Sequence, residues 1–176
     1  MAKLNFDLKL VFGDITKYKT DIIVNSANRT LMRGSGVCGA IHATSGVELE
    51  KECMKRKKEL NIDVLGVGEI LVTKAYNLPH SYVIHTVGPK KGVDDISLLL
   101  NCYINSLREA DRLNARSISF PAISTGIYGV SLEYSAKIVK RAIFECEGFN
   151  SLKKVYLFFV KKEDILIYSR IFGEDV

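Results

Sequence analysis

Two asparagines and a run of glycines carry the chemistry most directly readable in this chain. They stand in Asn25-Ser-Ala-Asn-Arg-Thr-Leu-Met-Arg-Gly-Ser-Gly-Val-Cys-Gly-Ala-Ile-His42. An apolar run, residues 21–24, feeds into this stretch, and a helical pattern with small residues leaves it. A glycine-rich turn there presents bare backbone N–H groups at a helix N-terminus, where the helix dipole also favours an anion. A second loop of the same kind, Ser124-Thr-Gly-Ile-Tyr-Gly129, follows another apolar run and precedes another helical pattern. Each loop alone reads equally well as a tight strand-to-helix turn. Both in one chain, each opening a helix, favour a clamp that grips a diphosphate from two sides with backbone donors and no metal.

Other readings of the glycines fit less well. Gly34-Ser-Gly-Val-Cys-Gly39 matches G-x-G-x-x-G, but residues 28–33 separate the first glycine from its strand. No acidic residue ends a following strand at the distance a dinucleotide fingerprint needs, and there is no G-K-[ST] for a P-loop. Asp14, in Gly13-Asp-Ile-Thr16, is either a turn former or an acceptor for an exocyclic amine such as that of adenine. Asn25 and Asn28 either order the loop or, for Asn28, hold ribose hydroxyls or a water, since an amide both donates and accepts.

The elements that must position these residues follow from periodicity. Strands are expected at 8–12, 21–25, 68–75, 82–87, 117–123 and 155–160. Helices are expected at 36–45, 47–60, from a cap at Asp94 or Asp95 to about 113, from a cap at Ser131 to about 147, and at 163–172. Strands alternating with helices give an α/β sandwich with a mostly parallel, buried sheet, and ligands on such sheets bind at the carboxyl ends of strands. That rule selects Asn25–Gly39, Ser124–Gly129 and the residues after Phe159.

Composition bounds the rest. The chain has 176 residues, 47% of them hydrophobic, and a formal net charge of +5. It is long enough for one domain with a core of its own. No apolar run reaches the ~20 residues of a membrane span, so a soluble, cytoplasmic protein with no membrane partner is expected. Cys38, Cys53, Cys102 and Cys146 are scattered without C-x-x-C spacing, and His42, His80 and His85 add no metal-ligand pattern. They read as free thiols and not as a disulfide or zinc framework. The basic run 55–58 lies in a helical pattern and reads as a solvated face. Single-stranded RNA is the weaker partner class, because no aromatics are interleaved with the positive charge.

Gly13-Asp-Ile-Thr16, Val24-Asn-Ser-Ala-Asn28, Gly34-Ser-Gly-Val-Cys-Gly-Ala-Ile41, Val83-Ile-His-Thr-Val-Gly-Pro89 and Pro121-Ala-Ile-Ser-Thr-Gly-Ile-Tyr-Gly129 together resemble a macrodomain. The resemblance spans nearly the whole chain, with its motifs in order. It implies a single domain over residues 1–176, with a three-layer α/β/α fold and a central mixed, mostly parallel sheet. It implies binding of ADP-ribose or an ADP-ribosylated protein; a monomer with no cofactor and no metal is expected. Carried over position by position, it implies that Asp14 binds the adenine amine, with the Ile15 N–H nearby. Asn28 would contact the distal ribose. Gly34, Ser35, Gly36 and Val37 would wrap that ribose and the diphosphate. Ser124, Thr125, Gly126, Ile127 and Tyr128 would hold the diphosphate from the other side, with Tyr128 near the distal ribose. Asn25 and Ser26 are also expected to touch ligand.

Two positions depart from the family. Val160 occupies the place of the adenine-stacking aromatic, and its neighbour Phe159 should face the core, since adjacent strand residues point to opposite faces. Weaker adenine stacking is therefore expected. Cys38 stands where hydrolytic relatives resembling G-G-G-V-D-G-A-I-H carry an aspartate, which removes a carboxylate that could orient or activate water. Viral members resembling G-G-G-V-A-G lack that acid as well and are similar to hydrolases, with the substrate's own phosphate thought to activate water. The resemblance thus implies hydrolysis of an ADP-ribosyl ester at the distal ribose, on protein or as O-acetyl-ADP-ribose, with Asn28, Gly36 and Cys38 as the candidate catalytic positions. A reader module that binds without turnover is the alternative.

Overall fold

Short runs of β-branched and aromatic residues set the sheet, and the computed structural model describes residues 6–146 and 148–173. The strands are β1 (Asp7–Phe12), β2 (Ile22–Ala27), β3 (Ile70–Lys74), β4 (Tyr82–Val87), β5 (Ser117–Pro121) and β6 (Lys154–Phe159). The helices are α1 (Gly36–Ser45), α2 (Val47–Glu59), α3 (Leu99–Arg112), α4 (Leu132–Glu145) and α5 (Lys162–Phe172). The sheet order is β1-β6-β5-β2-β4-β3. Pairings are parallel except β3 against β4. The mixed, mostly parallel sheet inferred from the sequence is therefore present.

Helices cover both faces, which is why the central strands carry apolar residues without alternation. Ile22, Val24, Ile84, Phe120, Val155 and Leu157 join the core shared with α3, α4 and α5. Ile23, Val83 and Phe158 point the other way, onto Ile41 of α1 and Leu49 of α2. Phe159 does face the core, packing edge-on against Tyr168 of α5 with ring centroids 4.6 Å apart.

Several boundaries differ from the sequence reading. β2 runs on to Ala27, so Asn25 lies inside a strand. Asp95 is the cap, accepting from the Ser97 N–H at 2.9 Å, but it caps a 3₁₀ turn, Ile96–Leu98, from which α3 starts one residue later. Asp94 instead pairs with Arg29 and accepts from the Lys90 N–H. α4 ends at Glu145, with Cys146 as its C-cap; Glu147, its expected end, lies outside the described residues. In the basic run, Lys57 is buried and donates to the Asp63 carbonyl at 2.8 Å, so it ties down the α2 exit and is no part of a solvated face. Its stem packs while its ammonium finds an acceptor.

The parallel strands deliver Phe12, Ala27, Pro121 and Phe159 to the same end of the sheet. Tyr103 fixes the β5 exit there: its hydroxyl donates to the Pro121 carbonyl and accepts from the Ile123 N–H, while its ring packs on Phe120. Truncating Phe120, fully buried in β5, should cost about 3–5 kcal/mol of unfolding free energy in urea titrations, as large core truncations do. Ile127→Ala, at a side chain 83% exposed, should stay within about 0.5 kcal/mol of the parent.

Candidate functional site

A cleft of about 1080 Å³ opens at that end of the sheet. Its first wall is the loop from β2 into α1. Ser35 occupies the N-cap of α1 but makes no side-chain cap. The opening N–H groups of a helix have no intrahelical acceptor, so Gly36, Val37 and Cys38 keep theirs for whatever enters the cleft. Gly36 takes φ +57°, and a Cβ on Gly39 would sit 2.5 Å from the Gly34 carbonyl oxygen. The loop thus folds back on its own helix at a distance only glycine allows.

Asn28 braces the same loop. Its Oδ1 accepts from the Thr30 hydroxyl at 2.7 Å and its Nδ2 donates to the Met32 carbonyl at 2.8 Å. One lone pair and one N–H remain for a ligand or water. Arg29 crosses to Asp94 and so links this loop to the one after β4.

The second wall is Ser124 to Gly129. Ser124 adopts φ +64°, a left-handed conformation uncommon in non-glycine residues. Its buried hydroxyl has no partner, and a Cβ on Gly88 would lie 2.1 Å from that oxygen. The Tyr128 carbonyl accepts from the Lys91 N–H at 2.9 Å. Helix α4 does not open onto this loop, contrary to the sequence reading. Ser131 caps it by accepting from the Tyr134 N–H, so this wall offers a loop and no helix N-terminus.

Asp14 is a turn former, one of the two readings open in the sequence. Its Oδ1 accepts from the Thr16 N–H and hydroxyl at 2.9 and 2.6 Å. Those bonds, the Thr16 hydroxyl's foremost, hold its carboxyl below the usual carboxylate range. Oδ2 has only Lys17, 3.8 Å away, and stays open to a donor.

The structure places Asp14, Ile15, Ser26, Asn28, Gly34, Ser35, Gly36, Val37, Cys38, Ser124, Thr125, Gly126, Ile127, Tyr128 and Val160 on the cleft. Asn25 is the correction. It shares the face of β2 that α1 and α2 cover, is fully buried, and cannot touch a ligand. Its Nδ2 faces His85 Nδ1 of β4 at 3.1 Å and Cys38 Sγ at 3.7 Å. With Nδ2 donating, the His85 proton sits on Nε2, toward the Thr73 hydroxyl at 2.9 Å. Burial first, then His42, pushes His85 down to about 3, so it is neutral. Asn25 positions the first turn of α1 from below.

Cys38 has the Asn25 amide and the Met32 carbonyl as hydrogen-bond partners, at 3.7 Å each. Neither is a base, so nothing here makes it a nucleophile. The sequence reading missed Phe12, Ala40, Phe158 and Asp164, which also line the cleft. In the sequence Phe12 reads only as the end of a strand, because a strand end carries no signal of what lies beyond it. Among the described residues no group of His, Cys, Asp and Glu could hold a metal ion, and no helix is long and apolar enough to cross a membrane.

Comparison with known proteins bears on this arrangement. The family model described as Macro domain matches residues 24–139. The O-acetyl-ADP-ribose deacetylase of Escherichia fergusonii is 39% identical over 163 residues, covering 90% of this chain and 91% of that protein. The Oceanobacillus iheyensis macrodomain with ADP superposes with a TM-score of 0.91 at 39% identity, covering 97% of this chain and 92% of that one. The Trypanosoma brucei macrodomain in complex with ADP-ribose superposes at 0.83 and 33%, covering 94% and 69%.

Ser124→Gly should raise stability by about 1 kcal/mol, since it relieves the positive φ and deletes a buried, unpaired hydroxyl. Gly88→Ala should do the reverse, lowering the melting temperature by displacing Ser124. The neutral His85 gives a pH signature. The unfolded chain binds a proton below about pH 6.5 that the folded chain refuses until about pH 3. Stability is therefore intact above pH 6.5 and falls as pH drops, by up to about 1.4 kcal/mol per unit from this residue. His85→Gln should flatten that slope in urea unfolding measured from pH 7 to pH 4, leaving the smaller part due to His42 and His80, whose values are also lowered.

Proposed function

This chain belongs to the macro domain family, and from that premise we propose that it binds ADP-ribose in the cleft and hydrolyses ADP-ribosyl esters at the distal ribose. The observation that carries the reading is the pairing of two donor walls across one cleft. The uncapped N-terminus of α1 stands on one side and the Ser124–Tyr128 loop on the other. The lining residues include no lysine or arginine; its charged members are Asp14 and Asp164. A diphosphate would thus be held by neutral backbone donors and the α1 dipole, an arrangement that helix termini support without metal.

Asp14 stays ionised and would take the exocyclic amine of adenine on its open Oδ2. The diphosphate would lie between the walls, which leaves the distal ribose at Asn28. Asn28 has one donor and one acceptor left over from bracing its loop, enough to orient a ribose hydroxyl and a water. That water would attack the ester and pass its proton to a phosphate oxygen of the substrate, releasing ADP-ribose and the free acid. Gly36 holds the turn that seals the water in. Cys38 would form the floor beside it without entering the chemistry, because no base touches it. The substrate is an ADP-ribosylated glutamate or aspartate, or O-acetyl-ADP-ribose.

A reader module is the second reading, favoured by one observation: the thiol of Cys38, not a carboxylate, lines the cleft beside Asn28 and Gly34. One experiment separates the two. In a time course on glutamate-modified protein, the parent should release ADP-ribose, and Asn28→Ala should be slower by about 10- to 100-fold, the scale of a mispositioned reactant. Calorimetry with ADP-ribose runs in parallel. Binding with no release by the parent, and release gained on Cys38→Asp, would establish the reader instead. Equal rates in the parent and Asn28→Ala would remove Asn28 from the mechanism.

A further inference from the structure

Phe12 is the most exposed phenylalanine among the described residues, with half of its surface open. Its situation is unusual for so large an apolar ring. It ends β1, an edge strand, and lies in register with Phe159, whose ring is buried against Tyr168. It lines the cleft together with Gly13, Asp14 and Val160. The Lys162 ammonium stands over its ring, 5.3 Å from the centroid, where a cation is attracted to the π-face.

We infer that Phe12 is the stacking platform for the purine base of the bound nucleotide, doing from β1 what Val160 is unable to do from β6. The inference rests on the proposed binding of ADP-ribose and assigns the base end of that site. Val160 is 82% exposed and aliphatic, so it offers contact without a π-face. Phe12 offers one within two residues of Asp14, whose Oδ2 is open to a donor. Those two groups together select a base with both a flat face and an exocyclic amine at its edge. An aminopurine meets both demands; a base with a carbonyl at that edge would set oxygen against carboxylate. The adenine end is therefore built from one short segment, Phe12 to Ile15, and not from a ring at the end of β6.

The test uses the absence of tryptophan in this chain. Phe12→Trp installs a single fluorophore at the proposed platform, and its emission should change saturably with ADP-ribose at the affinity found by calorimetry. Phe12→Ala should bind ADP-ribose about ten-fold more weakly, in the range of lost base stacking, while Phe12→Tyr stays within about two-fold of the parent because it keeps the ring. Thermal melts accompany each variant, since a ring that serves only packing would move the melting temperature and leave affinity alone. A parent that binds while Phe12→Ala binds equally well, or a Phe12→Trp emission that ignores bound ligand, overturns the assignment and leaves the wider reading standing. A parent that does not bind ADP-ribose overturns both.

Discussion

The absence of a Cβ at two glycines fixes the shape of the cleft. A methyl group on Gly39 would fall 2.5 Å from the Gly34 carbonyl oxygen, and one on Gly88 would fall 2.1 Å from the Ser124 hydroxyl. Main chain therefore passes close to main chain on the first wall, and close to the Ser124 and Ile123 side chains on the second. On the first wall this folds the loop onto the start of α1, where Ser35 leaves the helix uncapped. On the second, Ser124 is left-handed, with its hydroxyl buried and unpartnered. Strain and an orphan polar group of this kind cost of order 1–3 kcal/mol each, and the core beneath must offset them. Phe120 and Tyr103 do so under Pro121 and Ile123, where apolar packing and the Tyr103 hydroxyl pin the strand exit.

The layer beneath α1 supports the other wall by different means. Asn25, His85 and Thr73 lie on the same face of neighbouring strands and bond one to the next, with Cys38 above and Cys53 beside them. Burial keeps His85 neutral and pushes the Cys53 thiol up to about 12. The cluster is polar but uncharged. Such a network orders its members more than it stabilises them, and what it orders here is the first turn of α1. The glycine loop is held from above by Asn28 and Arg29 and from below by Asn25.

Much of this was legible from spacing. The start of α1 at Gly36 followed from a glycine turn after an apolar run, and the cap of α4 from Ser131. The inward turn of Phe159 followed from strand alternation. What was not legible depends on neighbours distant in sequence. Asn25 follows three apolar residues at the start of its strand, and only the cover supplied by α1 and α2 makes it a buried bracket. Lys57 looks like its basic neighbours until the Asp63 carbonyl arrives beside its ammonium. Phe12 ends an ordinary alternating strand, and its exposure comes from β1 being at the sheet edge. Ser124 carries no sign of a positive φ, since serine does not announce a left-handed turn as glycine does. The motifs named the cleft well; the supporting residues beneath it emerged only from the packing.

The central claim is that backbone donors on both walls, not side-chain cations, hold the anion. Amide chemical shifts followed by NMR during titration with ADP-ribose test it most directly. The account predicts the largest saturable shifts at the N–H groups of Gly36, Val37 and Cys38 and of Gly126, Ile127 and Tyr128, with both sets following one binding curve. Shifts confined to one wall, or concentrated around the lysines of α2 while both loops stay still, would contradict it.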